Sequence, residues 1–493
     1  MLEKLAKQTA IYGISTIVVR FLSYLLTPVY TYTFSQATYG IVTDIYALIP
    51  FALVLLSMGM ESSFFRFTAK AEAEGTSAED VAARKRRVFA TTWGANIVAA
   101  LIFFLVVVVC RRDVAHLMGA AYEAHPEYVV MVAAIILVDV ATMIPFSRLR
   151  EQGRALRFVA LKAVNVVVNV GLAIAFLVAG LYDTAFGVGW VFVANLAASL
   201  ITWFALLPQL SGKSLRIDRA LLRRILIYSL PLLIGGLAGT ANEFLDRQLI
   251  KYLVPEGAMA ELGIYGAITK IAVVMMLFYQ MYRLAAEPFF LSNFTKEEFV
   301  ESNAAALKYF VMASMLIFLG IALFRDLFAL IVGRDFREGI DILPVVLGAN
   351  ILAGVWLNLS FWYKREEKTQ FALYVTFTGL AVVVVLGLLM VPRWGYRGAA
   401  WARLGAEAAM VVVSLWLNRR YFPTPYDFGR IAEYVVAGVA LYLASEALLH
   451  YGSPTVVVRY GVNVILFMAF VAFAVWREKI DVKGLVRSVM KRR

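Results

Sequence analysis

The sequence contains one cysteine, Cys110, and three histidines, His116, His125 and His450. A single thiol forms neither an internal disulfide nor a cysteine-based metal site, and the scattered imidazoles make no ligand cluster. Charged residues are scarce at 16%, where a soluble domain carries ~25%. That shortage excludes a soluble globular protein and a solvated disordered chain. Signatures of chemistry are also missing. Ser211-Gly212-Lys213-Ser214 looks like the end of a phosphate-binding loop, but Leu207 stands where that loop needs its first glycine. There is no HExxH and no GxSxG.

What the chain has is apolar surface. Of its 493 residues 61% are hydrophobic, enough for about 14 spans at roughly 20 residues each. The apolar runs are continuous rather than alternating, which favours helices over a barrel. They fall at 9–32, 41–65, 88–110, 128–147, 158–180, 185–208, 226–253, 262–290, 307–331, 340–362, 370–391, 397–418, 430–449 and 456–476. The expected fold is an all-α polytopic membrane protein. The head with Lys4 and Lys7 runs into a span too long for a signal peptide.

The net charge of +13 would suggest nucleic acid in a soluble protein. Here 33 of the 47 Lys and Arg lie on one side of the spans, 11 lie on the other, and Arg20, Lys270 and Arg283 lie within them. The positive-inside rule then places both termini in the cytoplasm and leaves no nucleic-acid partner to invoke. Asp218 is placed to cap a helix, and Ser77 with Asp80 has capping-box spacing. Val482, Leu485, Val486, Val489 and Met490 make the tail a basic amphipathic helix suited to a membrane surface.

An offset of 226 residues aligns Tyr39-Gly40 with Tyr265-Gly266, Glu61 with Glu287, Gly13 with Gly239 and Arg20 with Asp246. With an offset of 211, Gly187 and Trp190 meet Gly398 and Trp401. Spans 1–6 thus repeat in spans 7–12, in parallel, a plan that puts a transport site between halves. The expected division is a six-helix lobe at 1–210, a second at 211–425, two further helices at 426–476 and the tail at 477–493.

A charge inside a span costs at least ~2.5 kcal/mol, so it should face a cavity or a partner. Thr9, Tyr12, Thr16, Arg20, Ser23 and Thr27 form one polar stripe on the first span, and Gly235, Gly239, Asn242 and Asp246 form its mate on the seventh. Packing through small residues is the plainer reading of such stripes, but packing needs no arginine. Arg20, Arg66, Arg247, Lys270 and Arg283 are the candidates for a cationic substrate cavity, since guanidinium groups hold phosphate in bidentate fashion. Thr16, Ser23, Asn242, Asn165 and Asn169 are candidate polar lining. Asp139, Asp246, Glu61, Glu287 and Glu407 could carry H⁺ or Na⁺ as the coupling ion; no other cofactor and no metal is expected. Arg283 and Glu287 also suit a simple i, i+4 pair. Lys270 and Arg283 lie ~140° apart on an ideal helix, so both cannot squarely face one cavity.

Several phrases occur in an ordered set: Tyr39-Gly40 through Met58-Gly59-Met60-Glu61 to Phe64-Phe65-Arg66-Phe67; Pro145 to Arg157; Tyr228-Ser229-Leu230-Pro231-Leu232; Asp246-Arg247; Gly263-Ile264-Tyr265-Gly266; Glu287-Pro288-Phe289; and Trp394-Gly395-Tyr396-Arg397-Gly398. With the 6+6+2 plan, this set resembles the polysaccharide-flippase branch of the MOP superfamily (multidrug/oligosaccharidyl-lipid/polysaccharide exporters), in particular Wzx-type flippases. The resemblance implies transport of undecaprenyl-diphosphate-linked oligosaccharide across a bacterial inner membrane by alternating access around a cationic cavity, with H⁺ or Na⁺ antiport. Its partners would be membrane lipids and a glycan polymerase or other assembly proteins. The alternatives are a multidrug/cation antiporter of the same superfamily and a membrane polysaccharide polymerase or ligase. Two extra spans and a central arginine argue against the antiporter. The short outer loop at about 111–127 argues against the enzyme.

Overall fold

The computed structural model describes residues 22, 24–210, 216–290, 295–452 and 455–479. Within them every regular element is a helix and there is no strand. The principal helices are α1 (Leu26–Thr33), α2 (Gln36–Ser57), α3 (Met60–Glu74), α4 (Ala78–Val109), α5 (Pro126–Glu151), α6 (Ala155–Val178), α7 (Gly189–Leu206), α8 (Arg219–Leu253), α9 (Ala258–Ile271), α10 (Val273–Phe290), α11 (Lys296–Ala322), α12 (Leu343–Leu359), α13 (Gln370–Tyr421), α14 (Phe428–Gly452) and α15 (Val456–Arg477). Polar caps set where several begin. Ser35 accepts from the Thr38 amide, Asp218 from the amides of Ala220 and Leu221, and Thr295 and Glu298 form a reciprocal capping box. Ser77 caps Asp80 as expected, but the Asp80 carboxylate reaches back to the Thr76 amide instead of closing the box on Ser77.

Among the described residues eleven helices are long and apolar enough to cross a membrane, or twelve if the bent pair α9–α10 counts as one crossing. The protein is a multi-pass membrane protein. More than half of the first expected span lies outside the described residues, as do Thr16, Arg20 and Ser23 and nearly all of the tail, while the end of that span forms α1. The expected spans 370–391 and 397–418 share α13. Its backbone leaves helical geometry at Gly395 (φ 54°, ψ −132°), and a Cβ on Gly398 would overlap the Met390 carbonyl oxygen. The chain therefore doubles back there, and only glycine takes that φ without strain. The second expected span is also broken. Met58 and Gly59 both have left-handed φ and separate α2 from α3.

Packing divides the chain into two units. Of the described residues, the first holds those up to 267 with 383–399, the second 268–382 with those from 400 onward. The first has a core of Met60, Phe64, Val88, Phe89, Ile144 and Ile225 near the ends of α3, α4, α5 and α8 that are rich in Lys and Arg, here called the basic ends. The second is packed around Phe290, Phe299, Phe361, Trp362, Phe371 and Phe422.

Candidate functional site

In the first unit, away from the basic ends, α2 carries Asp44 with no exposed surface. A carboxylate so placed is tolerated only when its lone pairs are filled. Three donors fill them: Lys251 Nζ at 2.6 Å and Gln248 Nε2 at 2.7 Å, both on α8, and the Tyr122 hydroxyl at 2.6 Å from the short helix Ala120–Glu123. Further along α8, Asp246 accepts from the Tyr265 hydroxyl at 2.5 Å and pairs with Arg247 Nη1 at 3.2 Å. Arg247 also donates to the Glu243 carbonyl at 2.7 Å. Asn242 is half-buried one turn away. α2 and α9 meet backbone to backbone beside this cluster. A Cβ on Gly40 would overlap the Met259 carbonyl, and one on Gly263 the Gln36 carbonyl.

A second polar region lies deeper in the same unit, along one face of α7. Asn195, Ser199 and Thr202 step by four and three residues. Asn195 Nδ2 donates to the Tyr46 hydroxyl at 3.1 Å, Ser199 Oγ to Asp139 Oδ1 at 2.8 Å, and Asn165 Nδ2 to Thr202 Oγ1 at 3.1 Å. Asn169 belongs to the same helix as Asn165, and its buried Oδ1 has no hydrogen-bond partner. Lys162 lies over the Phe146 ring at 4.3 Å and within electrostatic reach of Asp139 and Glu61.

At the basic ends, Glu61 of α3 accepts from Arg150 Nη1 of α5 at 2.5 Å, and Arg66 is exposed over the Tyr228 ring at 4.3 Å. Tyr228 and Arg247 are 19 residues apart on α8, about 28 Å along its axis at 1.5 Å per residue. One ligand group does not meet Arg66 and Arg247 together.

In the second unit, Glu287 stands between two cations, Lys364 Nζ at 2.6 Å and Arg283 Nε at 3.4 Å. Glu407 accepts from the Trp356 indole at 2.8 Å, which joins α13 to α12. Asn358 donates to the Tyr282 hydroxyl at 2.5 Å. Lys270 is half-buried near the end of α9. The helix breaks between Lys270 and Arg283, so the ideal-helix angle expected between them does not apply. No group of three or more His, Cys, Asp or Glu among the described residues could hold a metal.

Residues 5–294, more than half of the chain, match the model of a family described as polysaccharide biosynthesis protein. The chain belongs to this family. Its fold is that of the MOP superfamily transporters. It is similar to the lipid II flippase MurJ in an inward closed conformation, with TM-score 0.73, 11% identity, and coverage of 96% of this chain and 100% of that one. A multidrug resistance MATE transporter in an inward-facing conformation aligns with TM-score 0.66 and 17% identity over 84% of this chain and 98% of that one. The MATE multidrug transporter DinF-BH aligns with TM-score 0.62 and 16% identity over 85% and 95%. No curated protein matches the sequence.

Sequence reasoning singled out Asp246, Arg247, Asp139 and Glu287, and the structure gives each a partner. It passed over Asp44, Gln248, Lys251 and the α7 stripe. Asp44 was visible as a lone acid inside an apolar run. The 4, 3 stepping of Asn195, Ser199 and Thr202 was visible too.

Proposed function

We propose that the protein is a flippase that carries an undecaprenyl-diphosphate-linked oligosaccharide from the cytoplasmic to the outer leaflet of a bacterial inner membrane by alternating access. The glycan would be a precursor of O-antigen, exopolysaccharide or a similar surface polymer. The observation that carries this reading is the family match over more than half of the chain. The charge bias supports it, by turning the basic ends toward the cytoplasm where such precursors are made. Arginines inside spans support it as well, since a diphosphate presents paired oxygens to a guanidinium. The protein acts without chemistry on its substrate. It hands the product to a glycan polymerase or another assembly protein.

Among the candidates for H⁺ or Na⁺ coupling, Asp139 and Glu407 suit the role best. Each accepts a hydrogen bond from a neutral donor, Ser199 or Trp356, which a protonated carboxyl can keep. Glu287, between Lys364 and Arg283, and Glu61, against Arg150, suit a charge-paired hinge at the basic ends.

The test is transport in proteoliposomes loaded with a fluorescent lipid-linked oligosaccharide. Wild-type protein should expose the glycan on the opposite leaflet, Arg20→Ala should abolish this, and Arg20→Lys should retain part. Normal transport by Arg20→Ala would remove Arg20 from the site. The likeness to MATE transporters favours a second reading, export of cationic drugs. Drug efflux without glycan flipping in the same vesicles would select it.

A further inference from the structure

We propose that the outward face of α8 at its basic end binds an anionic phospholipid of the adjoining leaflet, its phosphate held by Arg219 and Arg223 and its acyl chains lying along Leu226, Ile227, Leu230 and Ile234. The Asp218 cap fixes where α8 begins, and with it the helix register. Leu221, Leu222 and Ile225 turn inward onto the core of the first unit. At 3.6 residues per turn, Arg219, Arg223, Leu226, Ile227, Leu230 and Ile234 fall within an arc of about 100° on the opposite side. These apolar side chains are well exposed, with Ile227 at 67%, Leu230 at 57% and Ile234 at 47%. The stripe therefore runs from cationic to apolar along the helix, in the order in which a lipid runs from headgroup to tail.

The cations at its head are uncommitted. Arg216, Arg219 and Arg223 are exposed, and none makes an ion pair or hydrogen bond among the described residues. Asp218, the acid nearest in sequence, is occupied by its cap and by Arg87 at 3.5 Å. Other cations at basic ends of either unit are committed: Lys85, Arg150, Lys308, Lys364, Arg430 and Arg477 each pair with a carboxylate. The positive-inside rule asks for cations at this end of α8, but not for their alignment with an exposed apolar stripe. A cluster of arginines beside a span is the feature that attracts anionic headgroups.

The experiment is native mass spectrometry of the detergent-purified full chain, titrated with phosphatidylglycerol or with phosphatidylcholine of the same acyl chains. Phosphatidylglycerol should be retained in preference. Arg219→Gln with Arg223→Gln should weaken its retention at least about tenfold, the size expected for two arginines at an anionic surface. Arg219→Lys with Arg223→Lys should keep most of it, and so should the control Arg154→Gln with Arg157→Gln. Size-exclusion profiles check that each variant is folded. Equal retention of the two lipids, or full retention by the glutamine variant, would overturn the proposal. So would displacement of the lipid by an equal concentration of inorganic phosphate, since the tails would then contribute nothing. Competition by a polyprenyl diphosphate at the same arginines would reassign the stripe to substrate and overturn it too. Failure of glycan flipping with selective phosphatidylglycerol binding intact would count against the flippase reading and leave this site standing.

Discussion

Asp44 and Lys270 stand at matched positions of one sequence offset and carry opposite charges. They are 226 residues apart, the offset that superposes Tyr39-Gly40 on Tyr265-Gly266, and Arg20 and Asp246 invert in the same way. A charge of either sign is costly inside a span, so each half must supply it with a partner. In the first unit the acid is closed off by Lys251, Gln248 and Tyr122 and shows no surface, whereas Lys270 is only half-buried. Asp44 belongs to the second span and Lys251 to the seventh. The cation that neutralises Asp44 is not its counterpart, for at that offset Lys251 aligns with Leu25.

The largest effect is expected where that neutralisation is removed from one side. Lys251→Met leaves Asp44 buried without its cation and should destabilise the protein by about 3–5 kcal/mol, the cost of breaking a buried pair from one end. Thermal unfolding in detergent measures it. Adding Asp44→Asn should recover most of the loss. If the double variant is as unstable as the single one, the contribution of Lys251 is packing rather than charge, and the contrast with Lys270 loses its meaning.

A smaller effect is expected from the glycines that bring α2 and α9 together. Gly40 and Gly263 lie at the contact of α2 with α9, where a side chain meets a carbonyl oxygen, while Gly239 of α8 has no atom within 4 Å of its would-be Cβ. Gly263→Val should cost about 1–3 kcal/mol through forced separation of the helices. Gly239→Ala should be neutral or stabilising by up to ~1 kcal/mol, because the helix interior gains from alanine. Equal responses would show that the two helices do not rely on close approach.

These examples mark what could be read from the chain alone. Long apolar runs announced most of the helices, because a span needs little but length and hydropathy. The repeat announced that Tyr39-Gly40 and Tyr265-Gly266 correspond, though not that Gly40 and Gly263 lie on helices in contact. The breaks at Gly59 and Gly395 were hidden, since each depends on a left-handed φ and not on composition. Asp44 stood in plain view in its apolar run, but its partners did not. They lie 78, 204 and 207 residues away, and no local pattern joins them. Glu287 was half-legible: Arg283 is one turn away on the same helix, while Lys364 is 77 residues distant.

The smallest effect concerns α14 and α15, which are fastened at their basic ends by a little-exposed clamp centred on Glu478. Glu478, just past α15, accepts from Lys308 of α11 at 2.5 Å and from the Tyr434 hydroxyl of α14 at 2.6 Å. Partial burial would raise its carboxyl pKa, but these hydrogen bonds and the Lys308 charge outweigh it and hold the group below its usual 4.5. A carboxyl whose folded pKa is depressed adds stability above its unfolded pKa and loses it as pH falls through the folded value. The clamp should therefore be fully formed at neutral pH and begin to weaken below about pH 4.5, with hydrogen exchange rising first at the end of α15. Glu478→Gln should remove that acid step while leaving the α2–α8 cluster protected, because Asp44 is held by donors of the first unit alone. An acid step unchanged in the glutamine variant would assign the pH dependence to another carboxylate.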